Sequence, residues 1–218
     1  IGNIDVDPQL ATVSHLLPTS PCIGAGSATY ATGVDIDGEP WASPPAMGAD
    51  QPGPAAGPLN VWIEAAFTNV ATGYAVPFTA WITGPILKSV WDFDDGTRLA
   101  NQPWATHAWS APGTYSVRLT GYNASYPDGV PTTVVVDVSA PVYHYVNAAS
   151  FNPAFPYSSW ETAATNIQDA IGAGRLPGRL VLVTNGVYRV GSVETNGLNR
   201  VALTNSVVVQ SVNGPDVT

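Results

Sequence analysis

Cysteine, lysine and methionine are almost missing from this chain, with one residue of each in 218. Cys22 has no internal partner, so no disulfide staples the fold and stability must come from burial. In its apolar run Cys22 reads as a small buried hydrophobe. Charge is scarce too, at 11 % of residues against roughly 25 % in ordinary soluble proteins. What charge there is leans acidic: 16 Asp and Glu to seven Lys and Arg, a net −9. That excludes nucleic acid as a partner, because binding phosphates needs a dense basic surface, and it excludes an anionic membrane surface on the same ground. No apolar stretch approaches the ~20 residues of a membrane helix, so no membrane insertion is expected. The chain opens at Ile1 with no basic or apolar leader, as expected of a processed chain or a piece of a longer precursor.

Turn formers and aromatics are plentiful. Gly (21) and Pro (20), with seven Trp and nine Tyr, predict many turns between short aromatic-rich strands, an all-β chain. Composition separates the chain into segments. Residues 1–50 are short apolar clusters punctuated by Pro, Gly and Asp, with no helical period. Residues 51–58 carry three prolines and two glycines and read as a linker. Residues 59–140 alternate in the manner of strands: Val61, Ile63, Ala65 and Phe67 share a face, as do Phe78, Ala80 and Ile82. Tyr115, Val117 and Leu119 repeat the pattern, and Val134, Val136 and Val138 close it. Period-2 runs at this spacing predict a half-buried antiparallel sandwich. Residues 141–218 contain the one expected helix, about 160–171, with Ala163, Ile167, Ala170 and Ile171 on one face and Gly172 and Gly174 ending it. Its strands, Leu180–Val183 and Val207–Gln210, are broken by Asn-Gly corners and suit stacked coils of a parallel solenoid.

The run Trp91-Asp92-Phe93-Asp94-Asp95-Gly96-Thr97, followed by His107 and Pro112-Gly113-Thr114-Tyr115, resembles the PKD domain, an immunoglobulin-like β-sandwich. Asp94 stands where that family has Gly, and Asp tolerates a left-handed backbone. The resemblance implies a module of extracellular or cell-surface proteins, used as a spacer in secreted degradative enzymes. The flanks resemble two ends of right-handed parallel β-helix proteins. Ser20-Pro21-Cys22-Ile23-Gly24-Ala25-Gly26, Val34-Asp35-Ile36-Asp37-Gly38-Glu39-Pro40 and Met47-Gly48-Ala49 look like a closing coil. Tyr145-Val146-Asn147, Trp160 to Ala170 and Leu182–Tyr188 look like an opening with its capping helix. The expected architecture is therefore a PKD-like sandwich (59–140) between partial parallel β-helix segments (1–50 and 141–218). Two readings stay open: coils that join head-to-tail between copies, or an excised piece of one long surface protein.

Little chemistry of a catalytic kind is legible. His15, His107 and His144 are scattered, without metal-ligand spacing, and no nucleophile elbow or phosphate loop occurs, so no enzyme is expected. Asp92, Asp94 and Asp95 are candidate calcium ligands, a role the resemblance also implies for some relatives. The competing reading is that Asp92 and Asp95 accept backbone N–H groups and hold the turn. No other cofactor is expected. Asp35-Ile36-Asp37-Gly38-Glu39 resembles a calcium-loop fragment but reads first as a solvated turn. Trp81, Trp104 and Trp160 are candidate contact residues, for a second copy or for surface glycans. Asn123-Ala124-Ser125 fits the N-glycosylation triplet. The expected function is a non-catalytic extracellular structural or adhesive protein that self-associates head-to-tail. The alternative is a spacer or glycan-binding part of a secreted carbohydrate-active β-helix enzyme.

Overall fold

The computed structural model describes residues 3–214, so the first two residues of the expected closing coil and the last four of the expected opening lie outside it. In chain order the elements are β1 (Asn60–Ala65), β2 (Asn69–Ala71), β3 (Val76–Thr83), β4 (Lys88–Asp92), β5 (Arg98–Ala100), β6 (Trp104–His107), β7 (Gly113–Asn123), β8 (Tyr126–Ser139), β9 (Tyr143–Val146), α1 (Ile167–Gly172), β10 (Arg179–Val183), β11 (Val193–Glu194), β12 (Leu198–Asn199) and β13 (Val207–Ser211). The chain divides into two compact units. One comprises the described residues up to Thr68 with Val76–His107 and Thr114–Val136; the other takes Asn69–Ala75, Ala108–Gly113 and the described residues from Asp137 onward.

The first unit is built on a β-sandwich. One sheet has the order β1-β3-β6, with Trp62 opposite Trp81 and Thr79 opposite Trp104. The other runs β8-β7-β4-β5. Strict alternation on β3 sends Val76, Phe78, Ala80 and Ile82 inward, where all are buried. From the facing sheet come Trp91, Val117, Leu119 and Val136, together with Phe93 just beyond β4. Phe78 lies 5.8 Å from the rings of both Trp91 and Phe93, so one aromatic slab fills the space between the sheets. The Trp91 indole N–H is satisfied by the Gln102 carbonyl at 2.8 Å. Gly121 on β7 leaves room for the facing layer: a Cβ there would lie 2.9 Å from Val61 Cγ2.

Before β1 the expected closing coil carries no strand among its described residues. Two isolated antiparallel bridges, Leu10↔Leu16 and Val34↔Pro40, are its ladder contacts, and Leu16, Cys22 and Ala46 form a small core. Its turns are held by backbone bonds, such as Gly26 N–H to the Pro45 carbonyl and Met47 N–H to the Cys22 carbonyl, and by side chains. Asp35 Oδ1 accepts from the Asp37 and Glu39 N–H groups, and Asp35 Oδ2 accepts from Gln51 N–H. Gln51 Oε1 in turn accepts from Ala42 and Ala46. Residues 51–58 are not a free linker. Gln51 is buried, the Ala55 carbonyl accepts from Ala124 N–H, and Asn123 Nδ2 donates to the carbonyls of Gly57 and Pro85. Asn123 is itself 1 % exposed with its Oδ1 taken by Ser125 and Tyr126 N–H groups, so the glycosylation triplet is folded away as a turn anchor.

In the second unit β9, β10 and β13 form a parallel sheet of order β13-β10-β9, with no shift of register: Val181 pairs with His144 and Val209, Val183 with Val146 and Ser211. The inward row packs on Ala164, Ala170 and Ile171. β2 pairs in parallel with the last three residues of β8. The expected helix 160–171 is shorter. Asn166 caps it by accepting Asp169 N–H at 2.9 Å, and α1 begins only at Ile167. Residues before the cap are spent differently: Ala164 is extended, donating to the Tyr145 carbonyl and accepting from Asn147, which makes a parallel bridge to β9.

Arg179, fully buried, clamps this unit. Its Nη2 donates to the Ile171 carbonyl at the end of α1 (2.6 Å) and to Asn205 Oδ1 ahead of β13 (3.0 Å), and Nη1 to the Leu176 carbonyl (3.3 Å). A cation among the last carbonyls of a helix also meets the negative end of its dipole. Arg179→Met is expected to cost this unit about 2–4 kcal/mol, because it strands buried acceptors. Urea unfolding of the variant against the parent checks this; a loss below about 0.5 kcal/mol would show the clamp is dispensable.

Candidate functional site

The acidic turn after β4 does structural work in the position its sequence pattern anticipates. Alternation puts Trp91 and Phe93 inside and Asp92 outside; Asp94 (φ 63°) and Gly96 (φ 90°) then reverse the chain. The three carboxylates turn to separate partners. Asp92 Oδ1 accepts Asp94 N–H, and its Oδ2 pairs with Arg98 at 2.7 Å. Asp94 Oδ2 accepts Ser116 N–H from β7 at 2.9 Å. Asp95 Oδ1 accepts Thr97 N–H, and its Oδ2 meets His107 Nε2 from β6 at 2.7 Å. The His107 ring stacks on Phe93, 4.2 Å centroid to centroid. Asp92, Asp94 and Asp95 thus hold the turn and tie it to β5, β6 and β7, and among the described residues they do not converge as a cation site.

The Asp94 N–H, then Arg98, holds the Asp92 carboxyl below the usual range. Burial pushes the Asp95 carboxyl up, but the Thr97 N–H and the His107 ring outweigh it, and it too sits low. A lowered folded-state value stabilises above the ordinary aspartate range near 3.9, and the contribution fades as pH falls through the folded value.

Carboxylates do gather elsewhere. His15, Asp37 and Asp50, and around the same Asp50 also Asp35 and Glu39, bring ligand atoms within 4.8 Å of one another. His15 is buried, its Nε2 2.9 Å from Asp37 Oδ2 and its Nδ1 2.7 Å from Thr12 Oγ1. Asp50 Oδ2 accepts the Leu16 N–H at 2.7 Å. Chemically this is a set of oxygen donors with one imidazole, which could hold a hard divalent cation. Sequence reading had the Asp35–Glu39 turn but not His15 or Asp50, which come from 20 residues before and 11 after it; no local spacing announces them. Burial, then neighbouring carboxylates, raise Glu39; burial likewise raises Asp50, against the opposing Leu16 N–H and His15.

The tryptophans divide. Trp81 and Trp104 share the outer face of the β1-β3-β6 sheet, and Trp62 joins them: its indole lies 6.2 Å from that of Trp81 with planes 9° apart. Trp81 Nε1–H donates to Glu64 Oε2 at 2.9 Å. Trp62 and Trp104 are 44 % and 58 % exposed. Trp62, one of the seven tryptophans, lies between Val61 and Ile63, which already puts it on the outward face. Trp160 belongs to the second unit, edge-on to Tyr145 at 4.6 Å, and does not join this row.

Residues 59–136 match the PKD domain family, so this part of the chain is a PKD-like β-sandwich. No curated protein matches the chain. Among solved structures, one described as a carbohydrate-binding module of the β-sandwich superfamily with promiscuous specificity is similar at 23 % identity and TM-score 0.36. That similarity covers 44 % of this chain and 38 % of the other. The PKD1 domain of Vibrio anguillarum Epp is similar at 20 % identity and TM-score 0.32, over 38 % of this chain and 95 % of that one. Among the described residues no helix is long and apolar enough to cross a membrane.

Because Asp50 is raised in the fold, its ionised form opposes folding at neutral pH. Asp50→Asn, which keeps an acceptor for Leu16 N–H, is expected to raise the melting temperature at pH 7. The gain should shrink as pH falls through the raised value, and should be gone below the unfolded one near 3.9. Melting curves at pH 7 and pH 3 check this; a lower melting temperature at pH 7 would show that the charge itself is required.

Proposed function

We propose that this chain is a non-catalytic extracellular protein with a structural and adhesive role: a PKD-like sandwich combined with β-solenoid coils that associate between copies. The observation that carries the reading is the unshifted register of β9, β10 and β13. The three strands lie side by side in parallel, each residue of β10 facing one on either neighbour: Leu180 pairs with Tyr143 and Val208, Leu182 with Tyr145 and Gln210. Such rows are how a solenoid propagates, each rung offering the next a matching set of N–H and C=O groups and an apolar ladder. Val208 and Val212 on and beside β13 are half exposed, an apolar surface of the kind that stacking covers. A head-to-tail contact between unlike surfaces does not self-limit unless rotation closes a ring, so the assembly expected is a filament. Net charge of −9 keeps such a surface soluble.

Sedimentation velocity of the purified chain across a hundredfold concentration range tests this. Species that grow with concentration, and shrink when Val208→Lys is introduced on β13, are expected. A monomer at every concentration would contradict the self-association.

A further inference from the structure

We propose that the outer face of the β1-β3-β6 sheet binds a neutral hexopyranose chain along the row Trp62, Trp81 and Trp104. Three observations point to that occupant. The first is charge. The first 87 residues contain no Lys or Arg and seven Asp or Glu, and one of those acids, Glu64, stands on this face. An anionic polymer is repelled there, while a neutral hydroxylated one is not.

The second is size. A large aromatic side chain offers about 150–250 Å². At 44 % and 58 % exposure, Trp62 and Trp104 together leave roughly 150–250 Å² of open indole. A stable protein interface needs about 800 Å² on each partner. The open indole alone falls well below that figure and suits a narrow ribbon-like ligand. Its surroundings are polar: Asn60, Glu64, Thr79, Thr83 and Thr106 alternate with the inward residues of the same strands.

The third is preorganisation. Trp62 and Trp81 are held nearly parallel, and Glu64 fixes Trp81 through its indole N–H. Rings already ordered lose little freedom on binding. The ring faces are electron-rich and attract the C–H groups on the flat faces of pyranose rings. Glu64 and Thr79 share this face with them and offer polar groups for the sugar hydroxyls. Few polar groups among aromatic surfaces is the usual composition of a small-ligand site.

The proposal does not depend on the solenoid reading, so either can fail alone. Its test is calorimetric titration of the whole chain with cellohexaose and chitohexaose, beside polygalacturonate as the anionic control. Binding of at least one neutral hexamer, weakened at least tenfold in Trp62→Ala and Trp104→Ala with melting temperatures unchanged, is the expected result. Trp62→Tyr should restore most of the affinity. No binding of either neutral hexamer, binding that both alanine variants leave intact, or a preference for polygalacturonate would overturn the proposal. So would loss of self-association in the same alanine variants, since the face would then belong to a second copy.

Discussion

One cross-layer link governs the sandwich: Phe93 beneath His107, and His107 beneath Asp95. Phe93 and Asp95 follow β4 on one sheet, and His107 ends β6 on the other. The ring stack at 4.2 Å and the 2.7 Å carboxylate contact therefore join the two sheets at the rim where the chain reverses. Below that rim the layers are filled by Phe78, Trp91 and Phe93, rings about 6 Å apart at most and buried to 2 % or less. Large aromatic side chains supply much burial from few residues. They suit a chain with no disulfide and little charge, in which dispersion and area removed from water must supply the stability.

The acidic cluster and the buried arginine answer a different question, namely how segments without ladders hold together. Residues 3–58 substitute side-chain acceptors for strand pairing. Asp35, Asp50 and Gln51, all buried, take the backbone N–H groups that a sheet would have taken. The cost is several carboxylates close together with a single imidazole among them. In the second unit Arg179 does the converse, supplying a donor to the Ile171 carbonyl near the end of α1.

Sequence alone carried the sandwich well and its neighbours less well. Alternation is local, so Val61, Phe78, Val117 and Val136 could be placed inside from their own strands. The Trp91–Thr97 turn was legible because Gly96 and an Asp in left-handed backbone leave few alternatives. The expected helix starts seven residues too early, because Ala163 fits an apolar face equally well as extended chain; Asn166, the cap, is the signal that distinguishes them. At 51–58 proline and glycine exclude helix and central strand, and none forms there, but they do not exclude the hydrogen bonds made by Ala55 and Gly57. The His15–Asp50 cluster and the clamp made by Arg179 depend on tertiary proximity, which no periodicity reports. Trp62 was legible from alternation, yet only the pairing with Trp81 across β1 and β3 gives it significance.

These features give the PKD-like sandwich a stiff frame carrying an aromatic row on one sheet; in the other unit the parallel strands repeat in register. The frame is useful as a platform only if its sheets act as one body, and the Asp95–His107 contact is where that is decided. A double-mutant cycle of Asp95→Asn and His107→Gln, read by urea unfolding at pH 6, measures it most directly. A coupling of about 1 kcal/mol is expected for a partly buried hydrogen bond to a carboxylate that spans the layers. Additive effects, with coupling near zero, would contradict the claim that this link joins the sheets.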